Sequence, residues 1–160
     1  MSLRIERAKL VLASLSVGVI ALSLVSRALS AQDPNDASHQ RSVWDGVYTD
    51  KQAARGSDLY GRKCASCHGD DLEGDVVEHP ALAGGEFMWK WNGSTLAPVF
   101  VRIHRDMPIN NAGSLTRDQS VDLLAYILSM NHLPASQREL PSDPAALAEI
   151  RVEAAKPDRK

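Results

Sequence analysis

Cys64-Ala65-Ser66-Cys67-His68 sets two thiols three positions apart, with an imidazole directly after the second. That spacing suits covalent attachment of a c-type haem. Each thiol can add across one porphyrin vinyl group to form a thioether. One helical turn carries both sulfurs to the same porphyrin edge, and His68 then lies beneath the iron as proximal ligand. Three other readings compete. A thioredoxin-like pair follows a strand and opens a helix, whereas this pair closes a helical segment. A structural zinc site takes four ligands, and the chain has no further cysteine, while His79, His104 and His132 are scattered. A plain disulfide leaves the adjacent histidine unexplained.

The elements that must position this turn are helical. Thr49-Asp50-Lys51-Gln52 has the form of a capping box, with Gln52 reaching back to the N-cap, and opens a helix running to about Lys63. Ala53, Gly56, Tyr60 and Cys64 share one of its faces. A glycine at mid-helix costs about 1 kcal/mol against alanine, so Gly56 points to a close approach by another backbone, with a tolerated surface glycine as the alternative. Thr116-Arg117-Asp118-Gln119 is a second capping box. Behind it, Val121, Leu124, Ala125 and Leu128 form an apolar stripe, widened by Leu123, Tyr126 and Ile127. This helix ends near Met130-Asn131 and is predicted to cross the first at Gly56 and Tyr60. A third helix, between Thr95 and Arg105, carries Leu96, Val99, Phe100 and Ile103 at helical spacing, with Pro98 in its first turn. It delivers Met107-Pro108 into an irregular stretch from Pro108 to Ser114. Strand-like alternation is absent, so the fold class is all-α.

The chain begins with Arg4, Arg7 and Lys9, then an apolar run from Leu10 to Val25, then Ala28-Leu29-Ser30-Ala31. This is the layout of a secretory signal peptide, expected over residues 1–31, with an uncleaved anchor as the alternative. Either way the globular part lies outside the cytoplasm, and in a bacterium the periplasm is where haem is attached to such motifs. A polar linker is expected over 32–43, the packed domain over 44–135, and an extension over 136–160. Asp143-Pro144 opens a short helix in that extension, expected from Ala145 to Ala155. The whole chain carries 18 basic and 20 acidic residues, and removing the four bases and one acid of 1–31 leaves 14 and 19, net −5. That balance argues against nucleic acid as a partner.

From Tyr48 to Ala135 the chain resembles the class I, monohaem, c-type cytochromes. Gly56 and Tyr60 stand eight and four residues before the first cysteine, as in that family. Leu123 and Tyr126 match the Leu-x-x-aromatic pair of its last helix. Pro80-Ala81-Leu82-Ala83-Gly84 resembles its Pro-x-Leu-x-Gly stretch, and Met107-Pro108 its axial-methionine dipeptide. Ala112-Gly113 departs from the family's Pro-Gly. The resemblance implies a cytochrome c fold with the N- and C-terminal helices crossing and three to five helices and loops wrapping one haem c. It implies that the carbonyl of Pro80 receives the His68 Nδ1 proton and that Met107 is the sixth ligand. The chain is similar in particular to the small periplasmic cytochromes that accompany quinoprotein dehydrogenases.

Other residues compete for the sixth position. Met107 follows an amphipathic helix and precedes Pro108, which stiffens the loop. Met88 lies between Phe87 and Trp89 and suits packing, and Met130 ends the last helix. His104, one turn before Met107, would give bis-histidine ligation and a lower potential, although Arg102, His104 and Arg105 together read as a polar face. Asp70, Asp71, Glu73, Asp75 and Glu78 form an acidic run that serves either as a docking patch or as a solvated loop. Arg62, Lys63, Lys90, Arg102 and Arg105 are candidate basic counterparts. Two function classes follow. One is an electron carrier with redox protein partners: a periplasmic dehydrogenase, a terminal oxidase or another cytochrome. The other is a haem enzyme or gas sensor with an open sixth position. No catalytic residue is apparent, and contact with a membrane is expected only if the leader is retained.

Overall fold

The computed structural model describes residues 40–75 and 78–158. The expected signal peptide, and the expected linker up to residue 39, lie outside them. In chain order the elements are β1 (Arg41–Ser42), α1 (Asp50–Lys63), α2 (Ala65–His68), α3 (Gly84–Trp91), α4 (Leu96–Val101), α5 (Arg117–Met130), α6 (Pro144–Ala148) and β2 (Ile150–Arg151). Short 3-10 turns at Val43–Asp45 and Ile109–Asn111, and a π turn at Arg102–Asp106, complete the backbone.

The dominant packing is α1 against α5. Gly56 allows it: a Cβ placed there would lie 1.9 Å from the carbonyl oxygen of Asp122 and 2.8 Å from the Tyr126 Cβ. One turn later the Tyr60 and Tyr126 rings meet with centroids 5.3 Å apart, a tilted aromatic pair that adds to area burial. The crossing therefore falls at the glycine and tyrosine that the periodicity singles out. Val121, Leu123, Leu124, Ala125, Ile127 and Leu128 of α5 are all buried. Arg55 of α1 locks the outer side, gripping Asp122 through two nitrogens at 2.9 and 2.8 Å and Glu139 at 2.9 Å.

The caps differ from each other. Thr116 and Gln119 form the full reciprocal box, at 3.0 and 3.2 Å. At α1 only half forms: Thr49 Oγ1 accepts from the Gln52 N–H at 3.1 Å, while the Gln52 side chain turns inward to Leu140. The expected reciprocal bond is replaced because Leu140 offers both a donor and an acceptor in the interior, where both must be satisfied.

The third helix appears as α4 followed directly by the π turn, which ends on Met107 in extended backbone. The region after Leu133 is firmly packed. Leu140, Leu147, Ile150 and Val152 are buried. Asp143 caps α6 through Ala145 N at 3.1 Å, but the helix stops at Ala148, well short of Ala155. The chain there extends to pair β2 in parallel with β1 and to bridge Thr95. The Trp44 indole donates to the Glu153 carbonyl at 2.9 Å. Helix gives way to strand because Ile150 and Val152 alternate inward around exposed Arg151.

Candidate haem-binding site

α1 runs straight into the cysteine turn. The Cys64 N–H donates to Tyr60 O at 2.8 Å, and the His68 N–H donates to Cys64 O at 2.9 Å, so the two cysteines and the histidine ride on one continuing helical turn. The Tyr60 hydroxyl donates to the Gly69 carbonyl at 2.7 Å and ties off the turn's far end. Both thiols are free, Cys67 exposed and Cys64 half-buried. Burial, with a smaller push from Cys67 and an opposing pull from Lys63, raises the Cys64 thiol to about 11.

His68 is buried, and its Nδ1 lies 3.0 Å from the carbonyl oxygen of Pro80, twelve residues on. A carbonyl can only accept, so Nδ1 carries a proton, and in the neutral ring Nε2 is then the nitrogen with the lone pair. No hydrogen bond engages Nε2 among the described residues. No described side-chain nitrogen or oxygen is sealed in the interior without a partner, so Nε2 must reach accessible space. One free imidazole nitrogen above two unpaired thiols on one turn is the donor set a covalently held haem requires, and the residues present fit that group. The competing readings fit less well. The turn follows a helix rather than a strand, and no group of three or more His, Cys, Asp or Glu among the described residues is placed to hold a metal ion.

The stretch carrying Pro80 is held from two sides. The Leu82 N–H donates to Leu72 O at 2.8 Å. The buried Asn131 side chain accepts from the Gly84 N–H at 2.9 Å and donates to Leu82 O at 3.0 Å. Asn131 reads in the sequence only as the end of a helix. A buried asparagine at a C-cap is a signal for such a tie, but its partners lie some fifty positions away. His79 sets its ring edge-on to His68, with centroids 6.1 Å apart, and its Nδ1 meets Asp75 at 2.5 Å.

Met107 is half-buried at the end of the π turn, followed by a cis peptide to Pro108. His104 is not a free polar-face residue. Its ring stacks on Phe100 at 5.7 Å and its Nδ1 lies 3.2 Å from the Ser120 hydroxyl of α5. Met88 is buried and belongs to the core, with Met130 packed against it. Trp89 is 71% exposed, whereas Trp91 packs on the core. Arg102 and Arg105 both pair with Asp106, at 3.8 and 2.7 Å. Those ion pairs occupy two of the candidate basic counterparts and hold the Asp106 carboxyl below its ordinary range.

A cysteine turn whose histidine gives its ring proton to a proline carbonyl, beneath a crossing of first and last long helices, is the arrangement of c-type cytochromes. Comparison of sequences agrees: residues 51–127 match the family described as Cytochrome C oxidase, cbb3-type, subunit III, and over that segment this chain carries a cytochrome c family domain. Haem c and one-electron transfer come with that class. Among curated proteins, the chain is 38% identical over 73 residues to cytochrome c-551 of Bacillus subtilis (strain 168), covering 46% of this chain and 63% of that one. Among solved structures it is similar to the sulfane dehydrogenase SoxCD of Paracoccus pantotrophus, at 26% identity and a TM-score of 0.46, covering 68% of this chain and 61% of that one. The chain thus spans less than two thirds of the length of either relative.

Proposed function

We propose that this chain is an exported electron carrier. It takes single electrons from a periplasmic dehydrogenase, free or as that enzyme's cytochrome subunit, and passes them to a respiratory acceptor such as a terminal oxidase or another cytochrome. The observation that carries this reading is the His68 Nδ1–Pro80 contact at 3.0 Å, which fixes the tautomer that presents Nε2 to a metal. A haem held here supplies one-electron exchange between ferrous and ferric iron. The chain's own residues do the rest. Cys64 and Cys67 would hold the porphyrin through thioethers, each thiol adding across one vinyl group, sulfur to one carbon and proton to the other. His68 would hold the iron through Nε2 and Met107 through its thioether sulfur, a ligand that would favour the reduced state. Phe87, Met88, Leu96 and Phe100 belong to the buried apolar core, and an apolar shell around a haem excludes water and pushes the potential the same way.

Export rests on the charged-then-apolar leader of residues 1–31. No helix among the described residues is long and apolar enough to cross a membrane. The exported protein tests the reading through its absorption, oxidised and reduced, with and without carbon monoxide. The carrier predicts a low-spin c-type spectrum indifferent to carbon monoxide, with colour retained by the chain after denaturation. Ready carbon monoxide binding would sink the carrier and favour a haem enzyme or gas sensor.

A further inference from the structure

The carbonyl of Pro80 meets His68 because a two-residue bridge holds the backbone on both sides of that contact. We infer that Gly74 and Asp75 are positioning residues for the proximal histidine, an inference that rests on His68 acting as the iron ligand. The Gly74 N–H donates to the His68 backbone carbonyl at 2.9 Å, and the next N–H, that of Asp75, donates to the His79 carbonyl at 2.7 Å. The bridge therefore sets the separation between the backbone carrying the imidazole and the backbone carrying its acceptor.

Both residue types are required. Gly74 sits at φ +66, and a Cβ there would lie 2.1 Å from the His79 oxygen, 2.7 Å from the Pro80 carbonyl carbon and 2.8 Å from the Pro80 oxygen. Those are backbone atoms that cannot swing aside, so any side chain pushes the acceptor itself. The Asp75 carboxylate closes the turn entering Pro80. It accepts from the Glu78 N–H at 2.6 Å and the His79 N–H at 3.1 Å through one oxygen, and meets the His79 ring at 2.5 Å through the other. Proline has no N–H with which to anchor itself, so the residue before it must be held instead.

The consequence is electronic. A well-made Nδ1–H···O=C bond gives the imidazole more anionic character and strengthens its donation, which favours ferric iron. Displacing the Pro80 carbonyl weakens that donation and raises the reduction potential.

The test is made on the exported, haem-loaded protein carrying Gly74→Ala or Asp75→Ala. It reads three quantities: the midpoint potential, the exchange rate of the His68 Nδ1 proton by NMR in the reduced state, and the thermal midpoint. Both variants should shift the potential upward and speed exchange at least tenfold, with Gly74→Ala the larger. Asp75→Asn, which keeps an acceptor oxygen, should recover most of the change. A lowered thermal midpoint with unaltered potential and exchange would show a merely structural loop and overturn the inference. If Gly74→Ala fails to fold, the exposed Asp75→Ala decides alone. Wild-type protein that loses its colour on denaturation sinks the haem reading itself, whereas retained colour with unmoved variants sinks only the positioning role.

Discussion

The side chain of Gln52 and the backbone of Leu140 form a closed pair. Gln52 Nε2 donates to Leu140 O at 3.0 Å, and Leu140 N donates to Gln52 Oε1 at 2.8 Å. Gln52 is 1% exposed, so this two-bond ring stitches the C-terminal segment to the first helix inside the protein. Gln52→Leu should leave a buried N–H and C=O of Leu140 without partners. At about 1–3 kcal/mol for an unsatisfied buried group, the expected loss is at least about 2 kcal/mol. A urea titration reads it as a lower midpoint, and an unchanged midpoint would show that water replaces the amide freely.

Gln52 also shows where sequence reasoning stops. The capping-box pattern is met equally by Thr49/Gln52 and Thr116/Gln119, yet only the second pair closes. The difference is Leu140, some ninety positions away, which local pattern cannot see. Chemistry with a local pattern was legible: the cysteine turn, the apolar stripe of α5, the Asp143 cap, and the mid-helix Gly56 that marks the α1–α5 crossing. What was hidden depends on long-range pairing. β1 pairs with β2, Trp44 with Glu153, and Asn131 with Leu82 and Gly84, each between residues far apart in sequence whose local patterns name no partner. At the candidate site, the resemblance of Pro80 to a family proline anticipated its contact with His68. The Gly74–Asp75 bridge behind it lay unmarked in an acidic run.

Gly56 and Gly61 share a helix but should respond oppositely to alanine. A Cβ at Gly56 drives into the Asp122 carbonyl at 1.9 Å, while one at Gly61 meets nothing within 4 Å. Overpacking costs about 1–3 kcal/mol and at times more. Here the obstruction is backbone on a second helix, so Gly56→Ala should cost about 3 kcal/mol or beyond, with α1 and α5 forced apart. Gly61→Ala should stabilise by about 0.5–1 kcal/mol through helix propensity. Chemical denaturation of both variants tests this, and destabilisation of similar size in the two would remove close approach as the reason for Gly56.

Two buried phenols make the fold sensitive to alkali. Tyr48 donates to Leu133 O at 2.6 Å and Tyr60 to Gly69 O at 2.7 Å. Burial raises both above the ordinary value of 10.0, with Asp50 adding at Tyr48 and Cys64 the next contributor at Tyr60. The fold therefore prefers the protonated phenols. Their contribution is fully present below the unfolded value of 10.0 and is lost as pH rises through the higher folded values. With ¹³Cζ-labelled tyrosine, the Tyr48 and Tyr60 resonances should stay in the phenol position past pH 10 and shift only as the protein unfolds. Tyr60→Phe should reduce that alkaline sensitivity and loosen the end of the cysteine turn at Gly69. Ordinary titration of either ring in the intact protein would refute the assignment.

Met107 and His104 compete for one role, and their surroundings separate them. The His104 ring is engaged twice, stacked on Phe100 and set 3.2 Å from the Ser120 hydroxyl, which itself donates to Thr116 O at 2.8 Å. Turning that ring toward a metal would break a contact with α5 and expose the Phe100 face. Among the described residues the Met107 side chain makes no hydrogen bond or ring contact of that kind. It leaves the π turn in extended backbone, directly after Asp106, whose ion pairs with Arg102 and Arg105 anchor the end of the turn. Met107→Ala in the haem-loaded protein should therefore give carbon monoxide binding and a lower potential, since a thioether that favours the reduced state is lost. His104→Ala should leave the visible spectrum and potential in place and cost stability of about 1 kcal/mol through the Ser120 contact. The reverse pattern, a spectrum altered by His104→Ala and untouched by Met107→Ala, would transfer the sixth position to the histidine.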